Sequence, residues 1–221
     1  KNLVKIYQDG SEQFRALDDV SLNIKEGESV AIIGKSGSGK STLMHLLAAL
    51  DKPNEGEIFI NGNNIAKMKK RELNKLRNQT FGFVFQQFFM NPKDTVLQNV
   101  ILPLKIAKIS PRKRKETAMK ALEAVDLVDK ARNKASNLSG GQKQRVCVAR
   151  AVANSPKIIF ADEPTGNLDT NTGDKVEELL FGLNKEKGIT LIIVTHDEAL
   201  AEKCDRQIRL QDGKIISKGE K

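Results

Sequence analysis

The run Gly34-Lys35-Ser36-Gly37-Ser38-Gly39-Lys40-Ser41, followed by Thr42, holds the residue types needed to grip a chain of phosphates. Its glycines tolerate positive φ and leave no side chain in the way. Successive backbone N–H groups can then turn inward and form an anion cradle. A helix that starts at the loop's end adds its positive N-terminal pole. Lys40 supplies a cation for β- and γ-phosphates, and Ser41 a hydroxyl for magnesium. The pattern G-x-x-x-x-G-K-[ST] arises by composition alone in about one chain of this length per hundred. Context raises its weight: Ser29–Ile33 reads as a strand entering the loop, and Thr42–Leu50 as a helix leaving it.

A phosphate site that hydrolyses its ligand needs a metal and an activated water. Asp162 and Glu163 follow the apolar run Ile158–Ala161, so both carboxylates stand beyond the carboxyl end of a buried strand, where ligands of open α/β sheets sit. Asp162 is placed for the magnesium–water shell, and Glu163 to take a proton from the attacking water. Pro164 ends that strand. His196 follows Thr190–Thr195 and stands at another strand end, in reach of a γ-phosphate or the water. His45 reads as a packing residue.

Leu138-Ser139-Gly140-Gly141-Gln142 opens a helical run, Lys143–Ala153. Ser139 can cap it, and the glycines bare backbone N–H groups. This second anion site has no obvious ligand within its own monomer, but it would serve a phosphate held by another subunit.

These motifs, in this order and over nearly the whole chain, resemble the nucleotide-binding subunits of ABC transporters. The resemblance implies ATP and Mg2+ as cofactors, with Gly34 to Thr42, Ser139, Gly140, Gly141 and Gln142 as nucleotide contacts. It implies Asp162 and Ser41 as metal ligands, Glu163 as catalytic base and His196 as the switch histidine. Gln86, after the strand Gly82–Phe85, would touch magnesium and couple to a membrane subunit. Asn167-Leu168-Asp169 resembles the loop that crosses the dimer interface, and Tyr7 stands where the family stacks a ring on adenine. The implied partners are a second copy of the chain, held by ATP, and a transmembrane permease. The permease would ride on Gln86–Leu104, with Phe88, Phe89 and Met90 either a docking patch or a buried cluster. The chain would then lie at the cytoplasmic face of the inner or plasma membrane.

Gly82–Phe88 and Ala161–Asp169 are similar to the branch of lipoprotein-release, macrolide-export and cell-division ATPases. Export or release is the implied task, and signalling through a non-transporting membrane partner the alternative. Lys35 stands where that family commonly has Pro, in a cradle made by backbone. Met90–Asp94 departs from the branch's apolar run, which leaves the permease, cargo and transport direction open. A DNA-acting relative would need a long coiled coil between Ser41 and Leu138, and no sustained heptads are present there.

Such residues must be positioned by a sheet. Apolar runs without polar alternation read as buried parallel strands. Helical patterns at Ser41–Leu50 and Gly173–Leu183 alternate with them, giving an α/β fold with a P-loop NTPase parallel-sheet core. Phe14–Lys25 alternates around a turn-like Asp18-Asp19. Asn61-Gly62 and Asp212-Gly213 are hairpin signals. A small N-terminal antiparallel β part is therefore expected. The Lys-, Glu- and Ala-rich middle predicts two helices separated at Ser110-Pro111. The expected organisation is one domain over 1–221, with 1–90 and 137–221 forming the core and 91–136 a helical subdomain.

The composition fits that reading. Of 221 residues 39% are hydrophobic and 29% charged, and the net charge is +9. The charge would suit phosphate, an anionic membrane or nucleic acid. With no Trp and one Tyr, however, the chain lacks stacking platforms for single strands, and no nucleic-acid partner is expected. The clusters Lys67–Arg77 and Lys105–Lys120 read as solvated helix faces. No run approaches a bilayer span. Cys147 and Cys204 read as reduced, partly buried thiols without metal spacing.

Overall fold

The computed structural model describes residues 1–10 and 12–220. Its centre is a six-stranded sheet in the order β10-β9-β3-β8-β7-β6. The strands are β3 (Ser29–Ile33), β6 (Phe81–Phe85), β7 (Ile158–Asp162), β8 (Thr190–Thr195), β9 (Arg206–Gln211) and β10 (Lys214–Glu220). All pair in parallel except β10, which runs antiparallel to β9.

β3 and β8 are buried at every position. Apolar side chains are needed on both faces, which is why these strands show no alternation in sequence. Successive residues feed two cores. Ala31, Ile33, Leu191 and Ile193 face the core shared with α3 (Val96–Ile106), α4 (Pro111–Glu123), α5 (Gly140–Val152) and α6 (Thr170–Lys187). Val30, Ile32, Ile192 and Val194 face the other core, with α1 (Lys40–Leu47) and the N-terminal strands.

Those strands are β1 (Leu3–Asp9) and β2 (Glu12–Val20), paired antiparallel. A separate two-stranded ribbon, β4 (Phe59–Ile60) and β5 (Asn63–Asn64), turns at Asn61-Gly62 with both φ angles positive, at 50° and 77°. Asp212-Gly213 joins β9 to β10 in the same way, at 48° and 75°. The expected turn at Asp18-Asp19 is not made. β2 runs through it, and the irregularity is a bulge that sets Leu17–Val20 against Leu3–Lys5. Only Asp19 takes positive φ, 55°, and its carboxylate accepts a bond from Asn2 Nδ2 at 2.8 Å. A single left-handed residue bends a strand without reversing it.

α2 (Lys70–Thr80) fully buries no residue, in line with its charged sequence. α3 and α4 lie in the 91–136 segment, separated by residues 107–110, with Pro111 at the first position of α4. The Thr95 hydroxyl accepts from the Gln98 N–H at 3.1 Å, and Gln98 Oε1 accepts from the Thr95 N–H at 2.7 Å. This reciprocal cap fixes the start of α3. Among the described residues no helix is long and apolar enough to cross a membrane. Cys147 and Cys204 form no disulfide and are fully buried rather than partly so.

Candidate functional site

Strand register builds the site. Ile33 pairs with Thr195, Val194 with Asp162, and Asp162 with Phe85. Four neighbouring strands therefore end side by side, and the residues next in sequence, Gly34, His196, Glu163 and Gln86, emerge along one rim. A cleft of about 620 Å³ opens there, lined by Phe14, Ala16, Ser36, Gly37, Gly39, Lys40, Ser41, Thr42, Gln86, Asp162, Glu163, Val194 and His196.

The glycine loop packs against neighbouring strands too closely for a Cβ at two positions. Gly39 lies at φ 101°, and a Cβ on it would meet the Ala16 carbonyl oxygen at 2.4 Å. A Cβ on Gly34 would lie 2.3 Å from the Leu210 carbonyl oxygen. Ser38 is buried behind the loop, while Lys35, Ser36 and Gly37 are exposed. Lys40 Nζ donates to the carbonyls of Gly34 at 2.8 Å and Lys35 at 2.9 Å, so its charge is held at the mouth of the loop. The glycine loop, the first turn of α1 and this ammonium border the same cleft, the setting an anionic phosphate chain requires.

Opposite lie the acids. Burial pushes the Asp162 carboxyl above the ordinary carboxylate range and the neighbouring Glu163 adds to the rise, against the pull of His45 and Lys40. Glu163 has φ 45°, a left-handed backbone that costs a non-glycine residue about 1–2 kcal/mol. Its N–H is bonded to the Val194 carbonyl at 2.8 Å. Its Oε1 accepts from the His196 N–H at 3.0 Å and lies 2.7 Å from His196 Nδ1. Its Oε2 accepts from Thr195 Oγ1 at 3.1 Å. Gln86 Nε2 donates to Asn167 Oδ1 at 3.3 Å, and Asn167 Nδ2 donates to the Gln86 carbonyl at 3.0 Å.

Hard oxygen donors suit magnesium, which keeps waters and takes one or two carboxylates plus substrate phosphates. The Ser41 hydroxyl, the Asp162 carboxylate and the Gln86 amide line this cleft. Among the described residues no cluster of three His, Cys, Asp or Glu could hold a metal alone. That donor set fits a metal that arrives with a phosphate ligand.

The other sequence-predicted residues lie elsewhere. Ser139 caps α5, its hydroxyl accepting from the Gln142 N–H at 3.3 Å while Gln142 Oε1 accepts from the Ser139 N–H at 3.0 Å. Ser139 and Gly140 are exposed, and Gly141 is buried where a Cβ would overlap Thr172 Cγ2 at 2.0 Å. Asp169 is exposed and caps α6 through Thr172. Neither Asp169 nor the Ser139–Gln142 segment lines the cleft. Nor does Tyr7, whose hydroxyl donates to Asp51 at 3.1 Å under the Lys5 ammonium. Phe14, paired with Tyr7 across the hairpin and 58% exposed, lines the cleft instead. His45, read as packing, borders a side cavity with Asp162 and Gln86.

Sequence reading also missed Thr195 and Gln144, and it placed Asn167 in the interface loop without its bonds to Gln86. Gln144 is buried on α5, and its Nε2 donates to the carbonyls of Pro164 at 2.6 Å and Phe85 at 3.3 Å. It ties the helix that begins at the Ser139–Gln142 segment to the two strand ends that carry Gln86 and Glu163.

Known proteins are similar to this chain in sequence and fold. The family model described as ABC transporter matches residues 17–166. The ATP-binding cassette MJ0796, in a dimeric post-hydrolysis structure bound to ADP and Pi, is 46% identical over 100% of this chain and 97% of its own, with a TM-score of 0.91. A further dimeric structure of MJ0796, a bacterial ABC transporter cassette, is 47% identical over the same shares, also with a TM-score of 0.91. The cbiO1 protein of Clostridium perfringens, part of the ABC transporter complex cbiONQ, is 31% identical over 100% of this chain and 86% of its own, with a TM-score of 0.88. With its glycine cradle, paired acids and rim histidine set on a sheet of this topology, the chain belongs to the ABC transporter family and is one of its nucleotide-binding ATPase subunits.

Proposed function

We propose that this chain dimerises around ATP and hydrolyses it to drive export or release of a substrate through a partner permease. One observation carries the dimer: no residue of the Ser139–Gln142 segment, exposed at Ser139 and Gly140, lines the nucleotide cleft. That segment is a capped helix N-terminus with bare backbone N–H groups, a surface made to receive phosphate. A second copy related by a two-fold axis would bring it over the cleft, with Asp169 at the seam.

Within each cleft the loop from Gly34 to Ser41 holds the phosphates and Lys40 neutralises the β- and γ-oxygens. Asp162, Ser41 and Gln86 would hold Mg2+, which supplies charge neutralisation on those oxygens when bound. Glu163 orients water in line with the γ-phosphorus and takes its proton. The new bond joins that water oxygen to phosphorus as the β–γ bridging bond breaks, giving ADP and Pi. His196 holds Glu163 at one carboxylate oxygen and reaches the γ-phosphate from the rim. Loss of γ-phosphate contacts then weakens the dimer, so each ligand state favours a different geometry.

A groove of about 450 Å³ lies between α2, α3, α5 and β6, with Phe89, Leu102 and Ile106 exposed along it. Phe89 is 66% exposed while Met90 packs partly buried against the core, so within the Phe88–Met90 segment it is Phe89 that offers an apolar surface suited to the permease. Through that contact the chain would sit at the cytoplasmic face of the membrane. Steady-state hydrolysis by Glu163→Gln tests the catalytic assignment. Loss of turnover with ATP affinity retained is expected, and turnover at the parent rate would overturn it.

A further inference from the structure

The Glu163 carboxylate is gripped at both oxygens by β8 and the residue after it. His196 holds Oε1 from the rim, where its side chain is 75% exposed. Thr195 holds Oε2 from below, at 1% exposure. The Thr195 hydroxyl has a second bond: its oxygen accepts from the Asp197 N–H at 3.0 Å. A hydroxyl carries one proton. With the Asp197 N–H set against a lone pair, that proton is directed at Glu163 Oε2.

We propose that Thr195 is a positioning residue for ATP hydrolysis, its hydroxyl fixing the rotation of the Glu163 carboxylate relative to the attacking water. The backbone restrains this rotation at one oxygen only, through the His196 N–H on Oε1 at 3.0 Å, and Oε2 is left to the Thr195 hydroxyl. The exposed ring of His196 is free to move when it engages a phosphate. The buried Thr195 hydroxyl is held between Glu163 Oε2 and the Asp197 N–H, so it keeps the carboxylate aimed while the ring changes partner. Misplacement of a reacting group by about 1 Å can cost about 100-fold in rate. The inference rests on Glu163 as the base.

The test compares Thr195→Val, Thr195→Ser, Glu163→Gln and the Val/Gln double variant of the full chain, by steady-state ATP hydrolysis, ATP titration and thermal melting. Thr195→Val is expected to lower kcat about 10- to 100-fold with KM within about twofold. Thr195→Ser keeps the hydroxyl and is expected to retain kcat within about threefold. In the Glu163→Gln background, Thr195→Val should slow residual turnover no further, because the group it positions is gone. Parent kcat in Thr195→Val would overturn the inference. So would a Thr195→Ser variant as slow as Thr195→Val, which would assign the effect to methyl packing. A slowed Thr195→Val whose defect multiplies fully with Glu163→Gln would overturn it as well. Glu163→Gln turning over at the parent rate would instead remove the base assignment itself, so the two failures are distinguishable.

Discussion

Gly39→Ala puts the loop geometry under direct strain. The residue lies at φ 101°, and the added Cβ would fall 2.4 Å from the Ala16 carbonyl and 3.0 Å from Leu17 Cδ2. The carbonyl belongs to β2, which is paired with β1, so no rotamer relieves the overlap. Backbone strain costs about 1–3 kcal/mol, and overpacking about another 1–3 kcal/mol. For a chain of this size each kcal/mol shifts Tm by about 2–4 °C, so a fall of about 5–20 °C is expected. The chain can shed part of that strain by pulling the loop off β2, and Lys40 and the first turn of α1 then leave the phosphate axis. If about 2–3 kcal/mol of strain is relieved that way, ATP affinity falls about 30- to 150-fold. Calorimetric titration with Mg–ATP and thermal melting on the same preparation read both effects. Parent-like affinity together with parent-like Tm would refute the close-packed loop.

Two further outcomes follow from single side chains. Phe14→Ala is expected to weaken ATP binding about three- to tenfold by removing one aromatic face from the cleft, and an unchanged Kd in titration would take the ring out of the site. Burial pushes the Cys147 thiol from 9.0 to about 11, so the native protein should resist a thiol-specific reagent at pH 8 while the unfolded chain reacts. Because the unfolded thiol ionises first, this group's contribution is constant below about pH 9 and is lost as pH rises toward about 11. Denaturant midpoints of Cys147→Ala should therefore fall less steeply over that window, and identical slopes would contradict it.

The residues that sequence exposed were those whose chemistry is carried by local spacing. The glycine loop, the Asp162-Glu163 pair and the capped Ser139–Gln142 segment each act through backbone or neighbours within a few positions. β3, β7 and β8 were legible because strands buried on both faces have no room for alternation. Asp18-Asp19 misled because Asp favours turns and bulges alike, and only the pairing with Leu3 and Lys5 decides between them. Thr195 and the pairing of Asn167 with Gln86 were invisible for a different reason. Thr195 meets Glu163 across 32 positions and Asn167 meets Gln86 across 81, through strand register that no local pattern specifies. Phe14 was hidden by its partner Tyr7, since a cross-strand pair shares a face and sequence does not say which ring reaches the cleft.

The decisive measurement is the mass of Glu163→Gln in saturating Mg–ATP by sedimentation equilibrium. A species of twice the 24.5 kDa monomer, reverting to monomer when ATP is withdrawn, is the predicted result. A variant that binds ATP with parent affinity yet remains at the monomer mass would contradict a cleft completed by the partner's Ser139–Gln142 surface.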